Sequence, residues 1–207
     1  MKIQTKLFKQ VEKRMANNDS AHDFEHVLRV YRNAERICKK EDVESRLVLT
    51  AALLHDIVSF RKSDKRSKTS SNKSSTEAKK ILQKYNYSEK DVSIIANAIE
   101  THSYSKNKTP KTLEGKILQD ADRLDALGAI GIARTFAVGG AEKRSFYNTK
   151  DAFCLTRRPD DQVWTVDHFY KKLLLLESKM NTKTAKIEAK YRTKIIKKFL
   201  NDLKKEI

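Results

Sequence analysis

The residues of this chain best suited to chemistry are an adjacent pair, His55 and Asp56, at the apolar end of Leu47-Val48-Leu49-Thr50-Ala51-Ala52-Leu53-Leu54. Neighbours on a helix differ in direction by ~100°, so these two side chains do not share a column. Both still reach one atom lying over the gap between them. Imidazole and carboxylate together are an ordinary ligand set for a divalent cation. The plain alternative is an N–H···O pair at a helix end, with Asp56 orienting His55. Further ligands stand far away in the chain: His26, and the acidic run Asp120-Ala121-Asp122-Arg123-Leu124-Asp125. His26 also reads as a satisfied histidine on a half-buried face, and Asp122 as a carboxylate paired with Arg123 or a nearby lysine. Periodicity alone does not make the four converge.

The elements that must position them are helical. Gly (5) and Pro (2) are scarce in 207 residues, which leaves few turns and speaks against a β-sandwich. Ile3, Leu7, Val11 and Met15 recur at fourfold spacing and predict a first helix ending near Met15. Ser20 with Asp23 makes a capping-box pattern before a helix carrying Phe24, Val27, Val30, Tyr31, Ala34 and Ile37. His22, His26 and Arg29 share one face of its first turns. A third helix is expected over Val43–Val58, ending in the His-Asp pair. Arg61 to Lys73 reads as a basic, Ser-rich loop. Ser74 with Glu77 is expected to cap helix four, and Ser88 with Asp91 helix five, which ends near His102. Pro110 and Thr112 lead into helix six. A small-residue helix follows around Gly128–Ala133, where glycines permit close contact. Gly139–Asp161 is irregular, with room for a lid or hairpin, and two long helices are expected over Val163–Met180 and Lys183–Lys205.

Charged residues make up 34% of the chain and hydrophobic ones 39%, which suits amphipathic helices with charged outer faces. The net charge of +17 points to nucleic acid or to small anionic substrates such as nucleotides. An evenly basic surface is the plain alternative, because the lysines are scattered. Cys38 and Cys154 match no zinc spacing and read as core thiols of a reduced, cytoplasmic protein. No run approaches the ~18 apolar residues of a membrane span, and the first residues hold no apolar signal core.

Three stretches in order, His22-Asp23-Phe24-Glu25-His26, then Ala51-Ala52-Leu53-Leu54-His55-Asp56, then Gln119-Asp120-Ala121-Asp122-Arg123-Leu124-Asp125-Ala126-Leu127-Gly128, together resemble the HD-domain superfamily of metal-dependent phosphohydrolases. The likeness is strongest to its bacterial YpgQ/YedJ-like branch. It extends over Ser74-Ser75, Thr101-His102-Ser103, Ile130-Gly131-Ile132-Ala133-Arg134 and His168-Phe169-Tyr170-Lys171-Lys172-Leu173-Leu174, and so covers nearly the whole chain.

The resemblance implies an all-α bundle of about nine helices. It implies a single domain over 1–207, with a metal-binding core at about 20–135 and C-terminal helices at about 163–205 packed on it. It implies one divalent ion held by His26, His55, Asp56 and Asp122, typically Mn2+, with Mg2+, Co2+, Ni2+ or Fe2+ as alternatives. It further implies cleavage of (deoxy)nucleoside triphosphates to monophosphate and pyrophosphate. His22, His102 and Asp125 are the expected proton-transfer or catalytic groups, and Arg29, Lys65 and Arg66 the expected phosphate contacts. The Glu that some branches carry after the His-Asp pair is absent, since Ile57-Val58-Ser59-Phe60 stands there. Asp125, Asp120 or Glu100 are the possible substitutes. A phosphomonoesterase or a phosphodiesterase acting on a cyclic nucleotide on the same site is the alternative reaction. A nucleic-acid binder with a regulatory site is the alternative class, although no zinc-finger, RNA-binding or helix-turn-helix pattern supports it. A homodimer face is an open possibility for the apolar run Leu173–Leu176.

Overall fold

In the computed structural model residues 2–15, 23–60 and 64–207 are described. Among them the chain is all-α, with nine α-helices and no strand beyond one isolated bridge. It divides into two compact units, residues 1–122 and 123–207.

The first unit is organised around α3 (Ser45–Leu54), whose Leu47, Val48, Ala51, Ala52, Leu53 and Leu54 are all buried. A helix apolar on nearly every side must be surrounded. α3 packs against α1 (Lys2–Met15), α2 (Phe24–Cys38), α4 (Ser70–Lys84) and α5 (Glu89–Thr101). Burying Leu53 and Leu54 completely stabilises this arrangement by about 1.5–3 kcal/mol per side chain. α2 buries the expected stripe of Val27, Val30, Ala34 and Ile37, interrupted by two polar residues, His26 and Asn33. α6 (Leu113–Asp125) begins after Thr112, whose hydroxyl accepts a bond from the Gly115 amide at 3.2 Å.

Several local expectations are corrected. Asp23 is itself the N-cap of α2, its carboxylate accepting from the His26 amide at 2.8 Å; Ser20 lies outside the described residues. The third helix is shorter than Val43–Val58, and His55 and Asp56 leave it in a turn. The basic loop is shorter as well. A 3-10 turn over Lys65–Thr69 runs directly into α4 at Ser70, while residues 61–63 are outside the described set. Ser74 is therefore no cap: it is a fully buried residue in the second turn of α4. The Ser88 cap is as expected, accepting from the Asp91 amide at 3.1 Å.

In the second unit α7 (Gly128–Ala141) packs on α9 (Lys183–Glu206). Gly139 and Gly140 belong to α7 rather than to the irregular segment. A Cβ at Gly139 would meet the Thr165 methyl at 2.7 Å, so glycine is required by close approach there. Residues 142–166 hold one isolated parallel bridge, Ser145 to Trp164, and no hairpin. The expected helix over Val163–Met180 is replaced by α8 (Asp167–Lys171) and two 3-10 turns, Leu173–Leu175 and Glu177–Lys179. Lys172, at φ −137° and ψ −60°, breaks the helical path. Leu173 and Leu176 are buried three residues apart, whereas Leu175 is exposed. Among the described residues no single helix is long and apolar enough to cross a membrane.

Both cysteines are free thiols. Burial pushes Cys38 up to about 11, and burial together with the Asp167 carboxylate does the same to Cys154. Thiolate is the reactive form. Iodoacetamide at pH 7.5 should therefore alkylate both at least about tenfold more slowly than free cysteine, with the rate rising about tenfold per pH unit towards pH 10. A thiol reacting as fast as free cysteine at pH 7.5 would contradict this.

Candidate metal centre

Four side chains of the first unit meet at one place, delivered by three segments. His26 comes from the first turn of α2, 1% exposed, and His55 from the residue that ends α3, 0% exposed. Asp56 follows in the turn, and Asp122 comes from α6. The Nε2 atoms of His26 and His55 are 3.3 Å apart. Asp56 Oδ2 is 3.7 Å from each of them, and Asp122 Oδ1 is 3.5 Å from His26 Nε2. His26, His55 and Asp56 each offer a ligand atom within 4.8 Å of the others.

The backbone sets the chemistry of these nitrogens. His55 Nδ1 lies 2.7 Å from the Ala52 carbonyl, which only accepts, so Nδ1 carries the proton. His55 Nε2 is then a bare lone pair facing another imidazole nitrogen. A cation between the rings satisfies both, and a carbonyl-bonded Nδ1–H is the usual orientation of a ligating histidine. Two donors each ~2.1 Å from one cation stand ~3.0 Å apart at a right angle and ~3.4 Å at a tetrahedral angle. The separations of 3.3–3.7 Å match that range after a slight contraction. With nitrogen and oxygen donors and no thiolate, the set suits a divalent ion of borderline to hard character.

His102 joins the group from the end of α5. Its ring lies 5.1 Å from that of His55, edge to face, and its Nε2 is 3.9 Å from Asp56 Oδ1. Its Nδ1 donates to the Ile99 carbonyl at 2.6 Å, so its Nε2 too is a lone pair. Burial, with His55 beside it, holds the His102 imidazole below its usual value despite the pull of Asp122 and Asp56. Burial pushes the Asp122 carboxyl up, but His102, His26 and His55 outweigh it and hold the group below the usual carboxylate range. Asp56 and Asp122 keep 14% and 25% of their side chains exposed, so the cluster opens to solvent on its carboxylate side.

The other expected site residues are placed differently. Arg29 is half-buried on α2, one turn after His26. Lys65 is exposed in the 3-10 turn. Arg66 is engaged: it donates to both oxygens of Asp64 at 2.7–3.1 Å and lies over the Phe60 ring at 4.6 Å. Asp125 belongs to the second unit, where it is 1% exposed and accepts from Arg134 at 2.7 Å. Asp120 is fully buried and Glu100 is exposed on α5. His22 lies outside the described residues.

Two supporting residues were not anticipated. Buried Asn33 donates to the Ala121 carbonyl at 3.1 Å and so ties α2 to the backbone beside Asp122. Its signal was there: it stands seven residues after His26, the polar exception on an apolar stripe. Gln119, fully buried, donates to the carbonyls of Thr101 and Lys108 at 3.3 and 2.8 Å, fastening both ends of the segment that contains His102.

Residues 23–127 match the sequence model of the HD domain. The chain is 33% identical over 201 residues to YpgQ of Bacillus subtilis, covering 95% of this chain and 90% of that protein. A crystal structure of Bacillus subtilis YpgQ in complex with ADP superposes with a TM-score of 0.76 at 32% identity, over 98% of this chain and 94% of the other. A Bacillus thuringiensis protein described as an HD-superfamily hydrolase superposes with a TM-score of 0.75 at 34% identity, over 98% and 95%.

Proposed function

Because this chain belongs to the HD-domain family of metal-dependent phosphohydrolases, we propose that it hydrolyses (deoxy)nucleoside triphosphates to the monophosphate and pyrophosphate. The observation that carries this reading is the group of His26, His55, Asp56 and Asp122, proposed to hold one divalent ion, Mn2+ in preference to Mg2+, Co2+, Ni2+ or Fe2+. The ADP bound to YpgQ supports a nucleotide as the ligand.

A divalent ion bound there supplies Lewis acidity to a phosphoryl oxygen and makes water acidic enough to act as a nucleophile at neutral pH. The protein's own groups do the rest. The Ala52 carbonyl keeps His55 in the tautomer that presents Nε2, and the two carboxylates offset cationic charge so that an anionic product is released. Of the expected proton-transfer groups His22, His102 and Asp125, His102 is favoured by position. Its Nε2 is an acceptor beside Asp56, and burial keeps it unprotonated at neutral pH. Arg29 and Lys65 are the proposed phosphate contacts, with Arg66 available once it leaves Asp64. The +17 charge raises the local concentration of polyanionic substrate.

The test is a panel of nucleoside mono-, di- and triphosphates and cyclic nucleotides with Mn2+, with pyrophosphate and orthophosphate measured separately. Pyrophosphate from triphosphates is the expected product. Orthophosphate alone, or hydrolysis confined to monophosphates or cyclic nucleotides, would replace this reading with the phosphomonoesterase or phosphodiesterase one.

A further inference from the structure

We propose that Ser74 is a positioning residue for the metal centre, setting Asp56 through the backbone of Val58; this rests on the proposed function. Asp56 does not sit in a helix. α3 ends at Leu54, and the chain leaves through His55-Asp56-Ile57-Val58, with a turn bond from the Ile57 amide to the Leu54 carbonyl at 3.3 Å. The backbone that carries this carboxylate therefore depends on where the turn's exit is held. That exit is held from another helix. The Ser74 hydroxyl accepts from the Val58 amide at 3.1 Å and donates to the Val58 carbonyl at 3.0 Å, so one side chain satisfies both backbone groups. Ser74 is 0% exposed, so the hydroxyl end of this clamp is shielded from competing water.

The neighbouring residue provides a matched control. Ser75 is also buried on α4, and its hydroxyl donates to the Ala96 carbonyl at 2.8 Å. That bond fastens α4 to α5 and not to the His-Asp turn. Two adjacent serines on one helix thus hold different things: Ser75 holds the packing, and Ser74 holds the segment that carries Asp56. Groups that orient ligands from behind commonly change metal affinity by about 10–100-fold when removed.

The experiment is titration of the metal-free protein with Mn2+, reading free Mn2+ by electron paramagnetic resonance, together with thermal unfolding without metal. Ser74→Ala and Ser75→Ala are expected to lower the metal-free Tm by similar amounts. Ser74→Ala alone is expected to weaken Mn2+ binding, by about tenfold, with Ser75→Ala within about twofold of wild type. If Ser74→Ala does not fold, Ser74→Cys keeps the volume with a weak hydrogen-bonding group and is expected to give a smaller loss of the same sign. Wild-type affinity in the Ser74 variant, or an equal loss in Ser75→Ala, would overturn the inference. Failure of the wild type itself to bind Mn2+ would instead overturn the proposed function on which it rests.

Discussion

Replacing Asp56 with alanine is expected to lower Mn2+-supported triphosphate hydrolysis by at least about a thousandfold, ~4 kcal/mol of transition-state stabilisation. Asp56 is the residue that relates the three imidazoles of the cluster to one another. One of its oxygens is 3.7 Å from both His26 and His55, and the other is 3.9 Å from His102. Removing it leaves two neutral imidazoles and one carboxylate, too little charge to hold a hard divalent ion against water. The fold should not suffer equally, because Asp56 stands at the solvent edge of a group that also contains Asp122, and losing one of two neighbouring carboxylates relieves repulsion. Metal-free Tm is therefore expected to stay within a few degrees of wild type. The wild type should gain about 2.7 kcal/mol of stability at Mn2+ a hundredfold above its Kd, and Asp56→Ala should lose that gain. Full activity in the variant would remove the cluster from the reaction.

The largest effect on stability is expected in the second unit, at Arg157. Asp167 is 0% exposed and accepts from Arg157 through both oxygens at 2.5 and 2.7 Å, and from the Asp160 amide at 2.6 Å. The guanidinium also stacks on Trp164 at 4.3 Å and donates to the Asp151 carbonyl, drawing the irregular segment together. Arg157→Met leaves Asp167 buried without its cation, at a cost of about 3 kcal/mol, or roughly 6–12 °C in Tm. The pH dependence gives the mechanism. Burial pushes the Asp167 carboxyl up, but Arg157, with the Asp160 amide and the Cys154 thiol, outweighs it and the folded value lies below the ordinary one. The wild-type contribution is thus present above about pH 4 and fades as pH falls through the lower folded value. In Arg157→Met the carboxyl rises instead, so that variant gains stability as pH falls. The gap between the two proteins should be widest near neutrality and narrow towards pH 3. The double variant Arg157→Met with Asp167→Leu should recover part of the loss, because it removes the stranded charge. A gap independent of pH would point to lost packing instead of lost charge.

The helices that were legible in the sequence are those whose apolar residues repeat at helical spacing. α2 buries Val27, Val30, Ala34 and Ile37, and Ser88 caps α5. Legibility failed where a tertiary partner decides the local conformation. Ser74 followed by Glu77 has the pattern of a cap, yet its hydroxyl is taken by Val58 from sixteen residues away. Four leucines at Leu173–Leu176 suit a long helix by propensity, yet the backbone leaves the helical region at Lys172, just before them. At the site, residue type and resemblance single out His26, His55, Asp56, His102 and Asp122; their meeting point rests on contacts spanning up to 96 residues, for which spacing carries no signal. Asp122 and Asp125 illustrate the limit. They are one turn apart on α6 and equivalent as letters, but Asp122 lies with the imidazoles and Asp125 with Arg134. The supports Asn33, Ser74 and Gln119 were missed because each is an ordinary polar residue whose importance lies in one backbone group of another segment.

The central claim is that His26, His55, Asp56 and Asp122 together hold one divalent ion that serves a nucleotide substrate. The measurement that tests it most directly is a crystal structure grown with Mn2+ and a non-hydrolysable deoxynucleoside triphosphate, with anomalous data at the manganese edge. The account predicts one strong peak in the first unit, bonded to the Nε2 atoms of His26 and His55 and to the carboxylates of Asp56 and Asp122, with a phosphate oxygen on its exposed side. A peak elsewhere, or a triphosphate bound away from these four residues, would contradict it.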